Sequence, residues 1–397
     1  MHNPFSERTI MSHLKRTWAE ISLDNLEHNY KTLRSLVGKD VKFLGVVKAD
    51  AYGHGALRIS QELARLGADY LAVSSLDEAE ELRLGGIEMP ILILGHTPFE
   101  QTEKLIKYGI TQTVTCEAKA HEYEAEAARL GATLKVHIKL DTGMSRLGFL
   151  CAGRHFDDCI DSVERCFSCK HLDIEGVFTH FSVSDEEGEE NREYTLSQFS
   201  LFKSALSELG KRGITFPIRH CANSGAVASY PETYLDMVRP GILTYGCTES
   251  AKRLGLRPVM SEKTVIGTIK VFDGGCDVSY GRLFRTEGKT RVGVLPIGYA
   301  DGLLRSLSNG YTVGLPYGKA KIIGRICMDM CMIDLSDYPE SEVGDEVEIF
   351  GENCPVEDAA SYAGTIPYEL TCAVSKRVPR VYKRGSEIIA RELKILD

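Results

Sequence analysis

The chain has 397 residues, with 47 Lys and Arg against 56 Asp and Glu, for a formal net charge of −9. Charged residues make up 26% and hydrophobic ones 43%, the balance of a soluble globular protein. An acidic chain with no long Lys/Arg run excludes a typical nucleic-acid binder, and no apolar stretch reaches the roughly 20 residues of a membrane helix. A single hydrophobic core stops growing at roughly 250–300 residues, so two domains are expected. The first 17 residues are polar and basic, without the apolar centre of a signal peptide, so a cytoplasmic protein is expected. The 12 cysteines are then read as reduced, mostly buried small residues. Cys166, Cys169 and His171 would give only three of the four ligands of a closed zinc site, so no metal is expected.

From residue 43 to residue 245, short β-rich runs alternate with helical patterns. Phe43–Val47 reads as a strand, followed by Ala56, Ile59, Leu63 and Leu66 at helical spacing before Gly67. Tyr70–Ser74 is the second strand, and Ser75 to Glu78 forms a capping box ahead of an Ala79/Leu82 face that stops at Gly85–Gly86. After Ile91–Leu94, Thr97 to Glu100 reads as another capping box, with Pro98 at the first helical position and Gly109 as the stop. Thr111–Thr115, Leu134–Leu140, Ile174–Thr179, Pro217–Cys221 and Asp236–Arg239 complete eight strands. The acidic run Asp185 to Glu193 reads as a solvated loop. Strands alternating with helices imply a parallel sheet, and eight units imply an α/β protein with a (β/α)8 TIM barrel.

Beyond about residue 250 the pattern changes. Val265–Val271, Thr290–Leu295, Tyr311–Leu315, Lys319–Ile326 and Glu346–Phe350 are β-rich, with turns at Pro316–Tyr317–Gly318 and Gly344–Asp345 and little helix between. The expected organisation is a barrel over 1–250 and a C-terminal mainly-β domain over 251–397.

In this barrel class, chemistry collects at the C-terminal ends of the strands. The first barrel strand ends in Lys48, within VVKADAYGHGA. A lysine after three apolar residues, at a barrel mouth, is desolvated and becomes nucleophilic; alone, it would more simply snorkel to solvent. Tyr52, His54 and flanking glycines suit an anionic ligand better than solvent. Strand seven runs into Asn223–Ser224–Gly225 and strand eight into Arg239–Pro240–Gly241–Ile242, where this fold commonly holds phosphate. A strand-one lysine facing a phosphate site describes a phosphorylated aldehyde held by the lysine, as pyridoxal phosphate is. Arg239 opposite the ring nitrogen would leave that nitrogen unprotonated, favouring simple proton removal and return over elimination or transamination.

At this point the residues resemble a known family. VVKADAYGHG is similar to the pyridoxal-phosphate signature of alanine racemases, and the resemblance continues through HIKLDTGMSRLGF, THFSVSD, CANSGA, VRPGILTYG, VSYGRLF, LPIGYADGLLRSLSNG, GRICMDM and IPYEL. The resemblance implies a barrel plus a C-terminal β domain, with the segment near Trp18–Ile21 joining the latter. It implies that Lys48 holds pyridoxal 5'-phosphate and serves as one base, with Tyr280 from the other subunit of a homodimer as the second. Arg239 would meet the pyridine nitrogen, His180 would pair with Arg239, and Asn223 would support that side. Tyr52, Ser224, Gly241, Ile242 and Tyr368 would hold the phosphate. Arg146 and the partner's backbone at Met328 would meet the substrate carboxylate. Lys139 matches a lysine often carried as N6-carboxylysine, orienting Arg146. Tyr280, Tyr299 and Tyr368 would form the inner gate of the entry channel, with Asp185, Arg305, Arg325 and Ile366 as its outer layer.

The function implied is interconversion of L- and D-alanine through a pyridoxal phosphate aldimine, supplying D-alanine for peptidoglycan. The alternative is a serine or broad-specificity racemase. Tyr368 favours alanine, because serine-racemising relatives typically carry a smaller polar residue there; separately, those relatives carry an N-terminal membrane domain, which is not expected here. The family's common Asn before that tyrosine is Pro367 here. A remote alternative is a metal-dependent barrel hydrolase using carbamylated Lys139 with His137 and His180, but such enzymes place two histidines after strand one. A barrel decarboxylase would need an acid in place of Arg239, and a non-catalytic cofactor-binding module would need neither the β domain nor Tyr280.

Overall fold

The computed structural model describes residues 16–395. Contacts divide the chain into two compact units. Among the described residues, one comprises Asn29–Ala51 and Ala56–Thr244, and the other comprises residues 16–28, Tyr52–Gly55 and residues 245–395. Strand β1 (Thr17–Ser22) belongs to the second unit.

The first unit carries the eight expected strands, displaced by only a residue or two. They are β2 (Lys42–Val46), β3 (Tyr70–Val73), β4 (Ile91–Ile93), β5 (Ile110–Val114), β6 (Leu134–Asp141), β7 (Leu172–Phe178), β8 (Ile218–His220) and β9 (Met237–Val238). All pair in parallel, in the order β9-β2-β3-β4-β5-β6-β7-β8. Two backbone bonds bring β8 and β9 together, Asp236 N–H to Arg219 O at 3.1 Å and Arg239 N–H to Ala222 O at 2.9 Å, so the ring is nearly closed. The unit is a (β/α)8 barrel whose strands are almost wholly buried, as a sheet covered on its outer face by helices must be. Phe43, Leu44, Ile93, Val136 and Phe178 are among its buried side chains, and each removed from water contributes about 1.5–3 kcal/mol.

The helix signals have mixed outcomes with clear causes. Helix Ala56–Leu66 ends before Gly67, whose φ of +90° only glycine adopts cheaply. Helix Leu76–Leu84 has the full Ser75/Glu78 capping box and ends at Gly85. The second box does not form. Pro98 lies outside the helix at φ −58°, ψ 139°, and a 3-10 turn at Phe99–Gln101 leads into helix Thr102–Lys107. Thr97 Oγ1 makes no hydrogen bond, because proline at that position sets an extended entry rather than a helical turn. The acidic run is a loop only as far as Gly188, since Glu189 to Glu193 open the long helix Glu189–Lys211. Carboxylates at that end favour the helix by opposing its dipole.

The second unit holds a ten-stranded sheet in the order β11-β12-β15-β14-β13-β16-β10-β1-β17-β18. Its further strands are β10 (Met260–Val265), β11 (Thr268–Phe272), β12 (Thr290–Leu295), β13 (Thr312–Leu315), β14 (Gly318–Ile323), β15 (Cys331–Asp334), β16 (Glu346–Phe350), β17 (Arg380–Arg384) and β18 (Glu387–Glu392). The expected run Val265–Val271 is two strands. Ile266 N–H bonds Asp345 O and Gly267 N–H bonds Val294 O, so the chain changes partners there. β1 pairs antiparallel with β10 and parallel with β17. Two helices that the β-rich pattern hides, Val356–Ala363 and Pro367–Ala373, also belong to this unit. Among the described residues, no helix is long and apolar enough to cross a membrane.

Candidate active site

In the barrel unit, the expected site residues all lie at one end, at or just beyond the C-terminal ends of the strands. Lys48 follows β2, on a chain that Val47 N–H continues toward Ala72 O at 2.9 Å. The next four residues then adopt left-handed backbone, with φ of 51° at Ala49, 56° at Asp50, 53° at Ala51 and 54° at Tyr52. Each non-glycine in that region costs about 1–2 kcal/mol, so the turn persists only because its surroundings fix it. Ala51 N–H bonds back to Val47 O at 2.8 Å. The Glu78 carboxylate, which already closes its own capping box, accepts from Ala49 N–H at 2.7 Å and from Ser74 N–H at 2.6 Å. Asp50 accepts from Ala56 N–H at 2.8 Å, tying the turn to the next helix. Sequence patterns read Glu78 as a helix cap alone and missed its grip on the lysine turn.

Arg239 is 3% exposed and, among the described residues, meets no carboxylate. Its Nη1 donates to His220 Nδ1 at 2.8 Å. Nη2 donates to Thr179 O at 2.8 Å, Cys221 O at 3.0 Å and His180 Nδ1 at 3.2 Å. These four bonds all fall on the two terminal nitrogens. The Phe178 ring lies 5.3 Å from the guanidinium carbon. Burial holds the Arg239 guanidinium down at about 10 and pushes the His180 and His220 imidazoles well below their ordinary value, so both rings are neutral acceptors. After burial, the cations that depress His180 are Arg239, Lys139, Arg146 and Lys48, in that order. Lys139 on β6 is itself pushed down to about 8 by burial, Arg146 and Arg239, against the pull of Asp141. Four cationic side chains thus crowd one barrel mouth, which is an anion-binding arrangement.

Arg146 rides on the loop after β6, held by Asp141. That carboxylate accepts from the N–H groups of Gly143 at 3.0 Å, Ser145 at 3.0 Å and Arg146 at 3.1 Å. Tyr194 O–H donates to Gly143 O at 2.7 Å and pins the loop from the other side. Asn223 caps helix Ser224–Ser229 through Ala226 N–H and accepts from Ser184 O–H at 2.6 Å. Among the described residues its partners are therefore the helix and the loop after β7, not the Arg239 side chain. Ser224 Oγ accepts from Leu243 N–H at 3.3 Å, linking the turns after β8 and β9, and Gly241 and Ile242 open helix Gly241–Thr244. Asp185 is exposed on the loop after β7.

In the second unit, Tyr52 packs against Tyr245 at 5.1 Å and edge-on against Tyr368 at 6.4 Å. Pro367 is the first residue of helix Pro367–Ala373, a position that needs no N–H, and Ile366 is its cap. Gly53 admits no side chain, since a Cβ there would lie 2.0 Å from Thr371 O. Tyr280 sits on a 3-10 turn and is 71% exposed. Ser279 O–H before it donates to Arg325 O at 2.7 Å, and Tyr299 N–H bonds Cys327 O at 3.0 Å. These bonds, with Ala300 N–H to Met328 O at 3.0 Å, bring the segments that carry Tyr280, Tyr299, Arg325 and Met328 together. Arg305 lies on the neighbouring turn, whose Ser308 Oγ accepts from Ile326 N–H at 3.0 Å.

His171, weighed earlier beside Cys166 and Cys169, pairs instead with Glu124 at 3.0 Å. Among the described residues, no three His, Cys, Asp or Glu side chains are grouped to hold a metal ion.

Comparison with known proteins agrees with this architecture. The family model for the alanine racemase N-terminal domain matches residues 21–249, and that for the C-terminal domain matches residues 259–382. The chain belongs to the alanine racemase family. It is 44% identical over 385 residues to alanine racemase 1 of Clostridium acetobutylicum, covering 95% of this chain and 98% of that one. The alanine racemase of Clostridium tetani is 44% identical over 389 residues, covering 96% and 98%. Among solved structures, an alanine racemase from Clostridium difficile 630 superposes with a TM-score of 0.91 at 39% identity, over 97% of this chain and 100% of that one. The Bacillus anthracis alanine racemase with bound L-Ala-P gives 0.88 at 32% identity, over 96% and 99%. As a racemase the protein is an isomerase, and its substrate is a small amino acid.

Proposed function

We propose that this racemase interconverts L- and D-alanine by a two-base mechanism, with pyridoxal 5'-phosphate held by Lys48, and that it supplies D-alanine for peptidoglycan from the cytoplasm. The observation that carries the proposal is the buried Arg239, which is hydrogen-bonded only through its terminal nitrogens and surrounded by Lys48, Lys139 and Arg146 at one barrel mouth. That set fits an anionic cofactor with an unprotonated ring nitrogen. Among the described residues, Arg239 has hydrogen bonds only at its terminal nitrogens, which leaves its Nε–H for the ring, and no carboxylate competes for it. Tyr52, Ser224, Gly241, Ile242 and Tyr368 would hold the phosphate. The cofactor, when bound, would acidify the substrate's α-carbon.

Racemisation must remove a proton from one face and return one to the other. Lys48 Nζ would hold or release the proton on one side and the Tyr280 hydroxyl on the other, so neither group needs to swing across the substrate. Arg146 would bind the substrate carboxylate with the backbone of Met328. Lys139, lowered to about 8, is neutral often enough to take up carbon dioxide and become N6-carboxylysine. The carbamate would convert one of four crowded cations into an anion beside Arg146. Asn223 would support the cofactor indirectly through its helix cap, and His180 through Arg239.

A homodimer is part of the proposal. Tyr280 is 71% and Met328 54% exposed, which suits groups delivered into a partner's site rather than their own. Tyr299 with Tyr280 and Tyr368 would form the inner gate, and Asp185, Arg305, Arg325 and Ile366 its rim. Tyrosines at the gate favour the methyl of alanine over longer side chains.

The test is racemisation of L-alanine, and separately of L-serine, by purified protein, together with subunit mixing. Lys48→Ala and Tyr280→Ala chains, each inactive alone, should recover roughly a quarter to a half of wild-type activity when mixed. No recovery in proven heterodimers would overturn the shared site. Racemisation of serine at a rate equal to alanine would overturn the substrate assignment.

A further inference from the structure

A line of polar side chains runs down the barrel interior from Arg239, and the reaction as proposed does not use it. Barrel interiors are ordinarily filled with branched apolar side chains. Here His220 on β8 and His137 on β6, each 0% exposed, meet with Nε2 of the first 2.9 Å from Nδ1 of the second. His137 Nε2 faces Glu175 Oε2 at 4.0 Å, and among the described residues neither atom has a hydrogen-bond partner. Glu175 Oε1 accepts from the Tyr70 hydroxyl, and Lys135, half-exposed, stands 3.9 Å from Oε2.

The direction of this line is forced. A guanidinium can only donate, so His220 Nδ1 must accept and its proton sits on Nε2. His137 Nδ1 must then accept, placing its own proton on Nε2, aimed at a carboxylate. His220 is set in one tautomer by the arginine before it, and His137 both by the ring before it and by the carboxylate that its Nε2 faces. Burial, Arg239 and Lys135 push His137 down to about 3, so it stays a neutral link. Phe178 stacks on His220 at 4.7 Å and the Tyr70 ring lies 6.4 Å from His137, confining both imidazoles.

Two backbone features are built around the junction. β6 and β7 pair Val136 with Ile174 and then His137 with Gly176, so Glu175 is an extra residue opposite nothing. Bulges are rare in parallel pairs and re-aim a side chain where they occur. Gly176 provides the space, since a Cβ there would lie 2.6–2.8 Å from three ring atoms of His137.

We propose that Glu175 and His137 are positioning residues that, through His220, fix the orientation and charge of Arg239. This rests on the role given above to Arg239. The Glu175 carboxylate is the counter-ion Arg239 lacks at its own end, relayed by two oriented imidazoles. If either ring turned to its other tautomer, an N–H would face the donor before it and Arg239 would lose its Nη1 partner.

The experiment is nitrogen-15 NMR of histidine-labelled holoenzyme, with the two rings assigned by His137→Asn and His220→Asn variants. Both rings should carry the proton on Nε2 from pH 5.5 to 8.5. In Glu175→Gln, whose amide can donate, His137 should show a population protonated on Nδ1. That variant should lose about tenfold in kcat, with KM for alanine within twofold. An Nδ1–H tautomer of either ring in the wild type would overturn the proposal, and that measurement needs no variant to fold. Unchanged tautomers in Glu175→Gln would overturn it too. Correct tautomers in a protein that racemises no amino acid would uphold the relay and overturn the functional reading instead.

Discussion

Glu262 offers a sharp test of how burial sets charge in the sheet domain. It lies on β10 between Ala19 of β1 and Phe350 of β16, is 1% exposed, and its Oε1 has no hydrogen-bond partner among the described residues. Burial, aided by Asp301 and opposed by Arg380, pushes its carboxyl up to about 8 from an ordinary 4.5. The unfolded chain therefore loses this proton near 4.5 while the folded chain keeps it to about 8. Stability is fully present below the unfolded value and falls as pH rises through the window between the two. Each pH unit costs up to about 1.4 kcal/mol, so by pH 7.5 about 4 kcal/mol is lost. Gln cannot ionise and has nearly the same shape, but buries an amide with one unpaired oxygen, which returns about 1–3 kcal/mol of that gain. Glu262→Gln should thus be more stable than wild type by about 1–3 kcal/mol at pH 7.5 and not more stable at pH 4.5. For a domain of this size that is a rise in Tm of roughly 3–10 °C at the higher pH. Calorimetric scans at half-unit steps from pH 4.5 to 8 would show the two Tm curves diverging. Parallel curves would refute the burial of a protonated carboxyl there.

Arg239→Lys leaves three donors for four acceptors and cannot fork between His220 and the two carbonyls, so urea denaturation should show a loss of about 2–4 kcal/mol. Ala49→Gly should cost nothing or stabilise by up to about 1 kcal/mol, because glycine relieves the left-handed backbone; the same exchange in an ordinary helix costs about 1 kcal/mol, and thermal melts separate the two signs. Asp141→Asn keeps the acceptor for two loop N–H groups but turns an NH2 toward a third, so KM for alanine should rise about three- to tenfold with Tm within roughly 3 °C, measured by steady-state kinetics.

Much of the barrel is written in local pattern. Ala56, Ile59, Leu63 and Leu66 at helical spacing, Ser75 with Glu78, and short apolar runs bounded by glycine are all signals a few residues long, and tertiary packing agrees with them. The exceptions have local causes that pattern could not rank. Pro98 can open a helix or hold the chain extended, and the second outcome prevails, which leaves Thr97 with no N–H to cap. Val265–Val271 reads as one strand because its composition is uniform, whereas the break depends on Asp345 and Val294, far away in sequence.

The candidate site divides in the same way. Lys48, Ser224, Arg239 and Gly241 are legible because a barrel places strand ends at one mouth, so position in the chain predicts position in space. Residues acting through others are not. Nothing near Glu78 announces that it holds the turn after Lys48, and nothing near Glu175 announces a bulge, because a parallel register is set by two strands together. By itself the sequence determined which segments are strands and which residue types reach the mouth, since both follow from periodicity and chain order. Only the tertiary structure decided that Arg239 is buried without a carboxylate, that four successive residues turn left-handed, and that two histidines line up behind the arginine. Those depend on distances between segments far apart in the chain, which no local pattern records.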